Sequence, residues 1–215
     1  MINSYENMSV GKYLQIRALA KREMEDVEMQ VSVISILNDM SEDDVLNLPL
    51  EKYSAYARES NFLLNPPTPK AECPKKLVIN GNKYYVMKDM KSCKTAQYID
   101  YQTFMKEKDP DAKMAEILAI FIIPEGKTYG EGYDIADVVN EIKEHLPISV
   151  AFNLCFFFRK KTAKSINRTL IYLGLMMKIW KRKAKTEEQK KMMEEAEKKM
   201  KELMSLYGNG AGFIV

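Results

Sequence analysis

The side chains best suited to chemistry are few and scattered. His145 is the one histidine in 215 residues, and it ends a helical pattern just before Leu146-Pro147. A cation there favours the C-terminus of a helix. With no second histidine and no cysteine pair nearby, a zinc site or a histidine-based triad lacks members. Cys73, Cys93 and Cys155 are odd in number and share no C-x-x-C spacing, so they read as reduced thiols in a cytoplasm. Glu42, Asp43 and Asp44 could act as paired carboxylates, but they directly follow Ser41, where helix capping explains them. The stretch "PEGKTYGEGYD" is glycine-rich yet lacks the G-x-x-x-x-G-K-[ST] phosphate cradle and has no parallel strand before it. It reads as a flexible loop. These residues point away from an enzyme and imply no metal and no cofactor.

Two other features could do work without catalysis. Between Arg159 and Lys185 stand ten Lys or Arg and no Asp or Glu. Arg159, Lys160, Lys161, Lys164, Arg168, Lys181, Arg182 and Lys183 are the candidates to bind phosphates, with Tyr172 and Trp180 interleaved. The alternatives are a helix lying on an anionic membrane, or a buried helix with solvated cations at both ends. The second feature is a stripe in the last helical pattern. Met192, Met193, Ala196, Met200, Leu203 and Met204 share one face, and an apolar tip follows at Phe213-Ile-Val. Such a stripe either packs on its own domain or receives a partner, for which methionine's flexibility suits it. Met192, Met193, Met200, Leu203, Met204 and Phe213 are the candidate partner-binding residues. Phe156, Phe157 and Phe158 are a further apolar cluster, read as core or as contact surface.

The elements that must position these groups are mainly helical. Nine glycines and eight prolines against fifteen methionines favour helices. Hydrophobic residues at 46%, charged residues at 29% and a net charge of +3 describe an ordinary globular chain. Its apolar runs are too short to span a membrane. Ser9 is expected to cap a helix from Val10 to about Lys21, with Tyr13, Leu14, Ile16 and Leu19 on its apolar face. A second helix near Asp26 to Leu37 places Val27, Val31, Ile34 and Leu37 inwards. A short capped turn follows Ser41, then a helix from Leu50 to Leu64, stopped by Asn65-Pro66-Pro67. Asn80-Gly81 between β-formers predicts a hairpin with strands at Lys76–Ile79 and Asn82–Lys88, which must lie on a helix or join another strand. Thr95 is expected to cap Ala96 to Lys106. Asp109-Pro110 introduces a helix to Ile123 with Ile117, Leu118 and Phe121 buried. Ile135, Val138, Val139 and Ile142 mark another helix. A mostly apolar helix runs from Ile148 to about Lys183, broken near Lys160 to Ser165, and Thr186-x-x-Gln189 is a capping box for the last one. The organisation expected is an N-terminal helical unit at 1–64, a proline-rich linker at 65–75, a hairpin with a second helical unit at 76–158, and a basic segment with a C-terminal helix at 159–215.

The two helical units share an order. Setting Tyr13 on Tyr98 brings Leu14 to Ile99, Ile16 to Tyr101 and Leu19 to Phe104, with Gly11 matching Ala96. Leu48-Pro49 then falls on Leu146-Pro147. Either the chain carries a diverged duplication, or two helical hairpins share apolar spacing.

The pattern "MSVGKYLQIRAL … EMQVSVISILNDMSEDDVLNLPLEKYSAY" resembles small proteins encoded among the tail genes of tailed bacteriophages, described as tail-assembly chaperones or tail accessory proteins. "TAQYIDYQTF … EILAIFIIP … LPISVAFNLCFFF" is similar to a longer form of the same family. The resemblance runs over Ser9 to Phe158 in scattered pieces and leaves out the basic stretch and the methionine stripe. It implies a non-enzymatic morphogenesis protein that contacts another phage structural protein, or itself, in the cytoplasm of a bacterial host or in the virion. The rival reading is a nucleic-acid-associated protein using residues 159–185.

Overall fold

A computed structural model describes residues 2–70, 73–89 and 92–161, and the single positions Thr186, Met192, Glu195 and Lys198. The chain is mainly helical with a small antiparallel sheet, and it divides into two compact units, Met1–Phe157 and Phe158–Val215. Apart from those single positions, the expected capping box from Thr186 to Gln189, the segment after it and most of the basic segment lie outside the described residues.

Ser9 caps α1 (Val10–Leu19), accepting from the Lys12 N–H at 3.4 Å. Helix α2 (Asp26–Asn38) buries Val31, Ile34 and Leu37, as the spacing requires. Val27, in the first turn of α2, departs from expectation: it is 66% exposed. Asp39 closes α2 in the left-handed conformation (φ 53°). Helix α3 (Glu42–Leu46) carries a full capping box between Ser41 and Asp44. The helix expected over Leu50 to Leu64 is α4 (Leu50–Glu59) followed by a tighter 3-10 turn, Ser60–Leu64, before the prolines. Val31, Ile34 and Val45 form a small cluster that Tyr53, Tyr56 and Ala57 of α4 cover.

The hairpin is where Asn80-Gly81 puts it. Both residues have positive φ (49° and 80°), the backbone demanded by a two-residue turn between twisted strands. Strand β1 (Lys76–Ile79) pairs with β2 (Asn82–Val86), which ends two residues earlier than the expected Lys88. The hairpin's stability problem is solved by a third strand. Helix α6 (Met114–Phe121) stops two residues short of Ile123, and β3 (Ile122–Pro124) turns out to pair antiparallel with β2, Tyr85 opposite Ile123. The apolar run across 117–124 has no alternation, so helix and strand could not be told apart within it.

Helix α6 is the centre of the unit. Seven of its eight residues are buried, Glu116 being the exception. A helix apolar all round can only sit inside. Helix α5 (Thr95–Met105) packs on it, and its N-cap is Lys94 rather than Thr95. The Lys94 N–H donates to Gln97 Oε1 at 2.8 Å. A 3-10 turn, Pro110–Lys113, leads into α6. Helix α7 (Ile135–His145) starts at Asp134, whose carboxylate accepts from the Ala136 N–H at 2.9 Å, and buries Val138, Val139 and Ile142. The chain is helical again over 148–161.

The segments at 1–64 and 76–157 interlock. Residues ahead of α1 pair with the corner after α7: Val10 N–H donates to Leu146 C=O at 3.0 Å and Ile148 N–H to Met8 C=O at 2.8 Å. Met8, Val10, Leu146 and Ile148 are all buried. Arg17 Nη1 lies 2.9 Å from Asp109 Oδ1 and its Nη2 3.4 Å from Asp111 Oδ2, while Lys21 also holds Asp109. Lys21 above all, and then Arg17, keep the Asp109 carboxyl below the usual carboxylate range. A carboxylate whose folded pKa is depressed stabilises the fold above its unfolded value near 4, and that contribution is lost as pH falls through the folded value. Replacing Arg17 and Lys21 together by Gln is therefore expected to lower the urea midpoint at pH 7. The gap from the native chain should close as pH falls below about 4, as urea titrations across pH will show.

The duplicated order has unequal burial. In α1 the buried residues are Val10 and Leu19, whereas in α5 they are Gln97 and Tyr101. With Tyr13 set on Tyr98 these positions do not coincide.

Candidate interaction surfaces

The groups with chemical potential are taken up by structure. His145 lies in the last turn of α7, half-exposed, with Nε2 3.6 Å from Glu144 Oε2. Among the described residues no three groups of metal-ligand type converge. Asp44 accepts from Ser41 Oγ at 2.6 Å and from the Ser41 N–H at 3.2 Å, and these bonds hold its carboxyl below the usual range. Glu42 accepts from Ser32 Oγ at 2.5 Å. The acidic turn is a cap and a brace to α2.

The glycine-rich loop folds onto α5. Gly126, Gly130 and Gly132 take positive φ, and backbone N–H groups of Lys127 and Glu131 bond inside the loop, to Pro124 and Thr128 carbonyls. Tyr129 is buried and its hydroxyl donates to Asp100 Oδ2 at 2.7 Å; burial first, and then Asp100, push the hydroxyl pKa up. Lys94 Nζ reaches the Tyr129 carbonyl at 3.4 Å and Glu131 at 2.7 Å. Cys73, Cys93 and Cys155 are half-buried thiols outside any disulfide. Burial raises the first two, which disfavours the thiolate a nucleophile needs.

Of the expected phosphate-binding residues, Arg159, Lys160 and Lys161 fall within the described helix; Lys160 and Lys161 are exposed and Arg159 is half-buried. Lys164, Arg168, Lys181, Arg182 and Lys183 lie outside the described residues. So do Met193, Met200, Leu203, Met204 and Phe213 of the expected partner stripe; Met192 is described and exposed. Phe156, Phe157 and Phe158 do not act as one patch. Successive helical residues point about 100° apart, so Phe156 is exposed, Phe157 half-buried and Phe158 buried.

The surface that sequence reasoning missed is on α5. Its inward side carries an amide: Gln97 is 1% exposed and donates to the Ile120 carbonyl at 2.9 Å. Tyr101 stands one turn on, edge-to-face with Phe121 at 5.4 Å. Ile99, two residues from Gln97 and so on the opposite side of the helix, is 57% exposed, and its neighbour Tyr98 is 51% exposed. The helix thus buries an amide and shows water an isoleucine and a tyrosine. The buried glutamine holds α5 in this rotation, because turning it would strand the amide and the Ile120 carbonyl. A smaller apolar face lies on the sheet, where Val78 and Tyr85 are exposed beside Lys76 and Lys83.

Compared with known proteins, the chain matches no family model, and neither a curated protein nor a solved structure matches it.

Proposed function

We propose that this chain is a non-enzymatic morphogenesis protein of a tailed bacteriophage, a tail-assembly chaperone or tail accessory protein, working by contact with another structural protein in the host cytoplasm. Its sequence resemblance to that family supports the phage setting. The outward placing of Tyr98 and Ile99 on α5, opposite the buried Gln97, supports the mode of action. Apolar side chains held out by a buried polar anchor suit a surface that a partner covers. No helix among the described residues is long and apolar enough to cross a membrane.

Co-expression with tail and portal proteins of tailed bacteriophages tests the reading. The native chain is expected to co-purify with one of them, and Ile99→Asp is expected to reduce capture at least about tenfold, the loss of one buried isoleucine. Absence of every such complex overturns the proposal. The ten cations between Arg159 and Lys185 support a second reading, binding to nucleic acid. Its mark would be retention on heparin and affinity that falls steeply with added salt.

A further inference from the structure

We propose that Asn80 is a self-modification site: in the folded chain its side chain closes on the Gly81 nitrogen, and the isoaspartate that results undoes the hairpin. Asn80 and Gly81 are exposed at the tip between β1 and β2. Among the described residues, neither the Asn80 side chain nor the Gly81 N–H has a hydrogen-bond partner. A Cβ built on Gly81 meets nothing within 4 Å, and glycine has none, so no side chain shields the attacking nitrogen. The closed turn fixes the backbone at Asn80, and attack waits for the tip to relax. Because β1 is the outer strand of the sheet, that motion breaks only the pairing of Ile79 with Asn82. The Gly81 nitrogen then bonds to the Asn80 side-chain carbonyl carbon, and the carboxamide nitrogen leaves as ammonia, taking the Gly81 amide proton. Water opens the resulting succinimide at either carbonyl. Opening at the side-chain carbonyl gives aspartate, and opening at the main-chain carbonyl gives isoaspartate. Nothing is oxidised or reduced.

The product matters because of what the turn holds. Ile79 and Asn82 face each other across it, and Ile79 is 2% exposed. The Asn82 amide donates to Glu141 Oε1 at 2.6 Å, and the Tyr84 hydroxyl donates to the other oxygen of that carboxylate. The hairpin is thereby tied to α7. Isoaspartate routes the main chain through the former side chain and adds a carbon between Ile79 and Asn82. A two-residue turn has no slack for it. The pair spreads or slips, and a slip carries Ile79 out of the core.

Ageing of the full chain in mildly alkaline buffer, followed by peptide mass spectrometry that separates isoaspartate from aspartate, tests this. A parallel sample in urea is the clock. Mapping also keeps Asn80 apart from Asn209-Gly210, the same pair of residues outside the described ones. The expected result is conversion of Asn80 in the native sample, slower than in urea, with isoaspartate the larger product. The thermal midpoint of the aged chain falls by about 2–4 °C, the effect of losing the hydrogen bond that closes the turn. Asn80→Gly, which suits a two-residue turn, keeps its midpoint through the same ageing. Asn80→Asp carries the charge without the added carbon and melts with the fresh native chain. Asn80 intact in the native sample once the urea sample has converted overturns the proposal. Conversion that leaves the midpoint unmoved, or an equal loss in aged Asn80→Gly, overturns it too. A fresh Asn80→Asp chain that melts as low as the aged one assigns the damage to charge and overturns the role of the lengthened turn.

Discussion

Phe121→Ala is expected to cost about 3–5 kcal/mol of folding stability, the range for removing a fully buried aromatic ring. The ring is 1% exposed at the end of α6, where that helix hands over to β3, and Tyr101 meets its face edge-on. Truncation removes the transfer energy of the ring and leaves a hollow. The surroundings collapse poorly into it, because the Phe121 carbonyl is fixed by the Met87 N–H at 2.9 Å. A domain of this size holds about 5–15 kcal/mol in total, so the variant should unfold at a much lower urea concentration. Leu50→Ala, at an exposed site at the start of α4, serves as the control and should shift stability by no more than about 0.5 kcal/mol. Equal losses in the two variants would mean that α6 is not the centre of the core.

Gly11→Val should cost about 3 kcal/mol, at the upper end of overpacking effects. A Cβ built on Gly11 comes 2.8 Å from the Lys143 carbonyl oxygen and 3.4 Å from its carbon. The obstacle is backbone in the last turn of α7, so no side chain can swing aside. Helix α1 must move off α7, and the pairing of Val10 with Leu146 moves with it. Gly11→Ala meets the same oxygen with less bulk and should fall between the native chain and the valine variant in thermal unfolding. If both variants melt with the native chain, the two helices do not approach as closely as described.

How much of this was legible beforehand differs by the kind of signal. Asn80-Gly81 states its own backbone, because few residues accept two successive positive φ values, and the hairpin followed from it. Ser41 and Asp44 likewise announce a cap within four residues. Strand β3 was illegible, since Ile122 and Ile123 continue an apolar run whose first part is helix and carry no alternation of their own. The role of Gly11 was hidden for another reason. Gly11 and Ala96 look equivalent in the sequence, yet only the first faces a neighbouring backbone, and Ala96 is exposed. The outward face of α5 is not legible in the sequence, because the spacing of its apolar residues does not say which side of the helix turns inwards. Gln97 fixes the rotation: its local partner is the Lys94 N–H at the cap of the same helix, and its distant one is the Ile120 carbonyl, which only the fold brings near.

The pairing of Met8 and Val10 with Leu146 and Ile148 bears on how this unit is made. On the ribosome the opening segment emerges early and has nothing to pair with until its counterpart, nearly the whole unit later, has cleared the exit tunnel. Until then Met8 and Val10 stay wet and α1 lacks the helix it rests on. Contacts so distant along the chain slow closure, so the nascent polypeptide passes through a long interval in which its apolar side chains are open to any companion within reach.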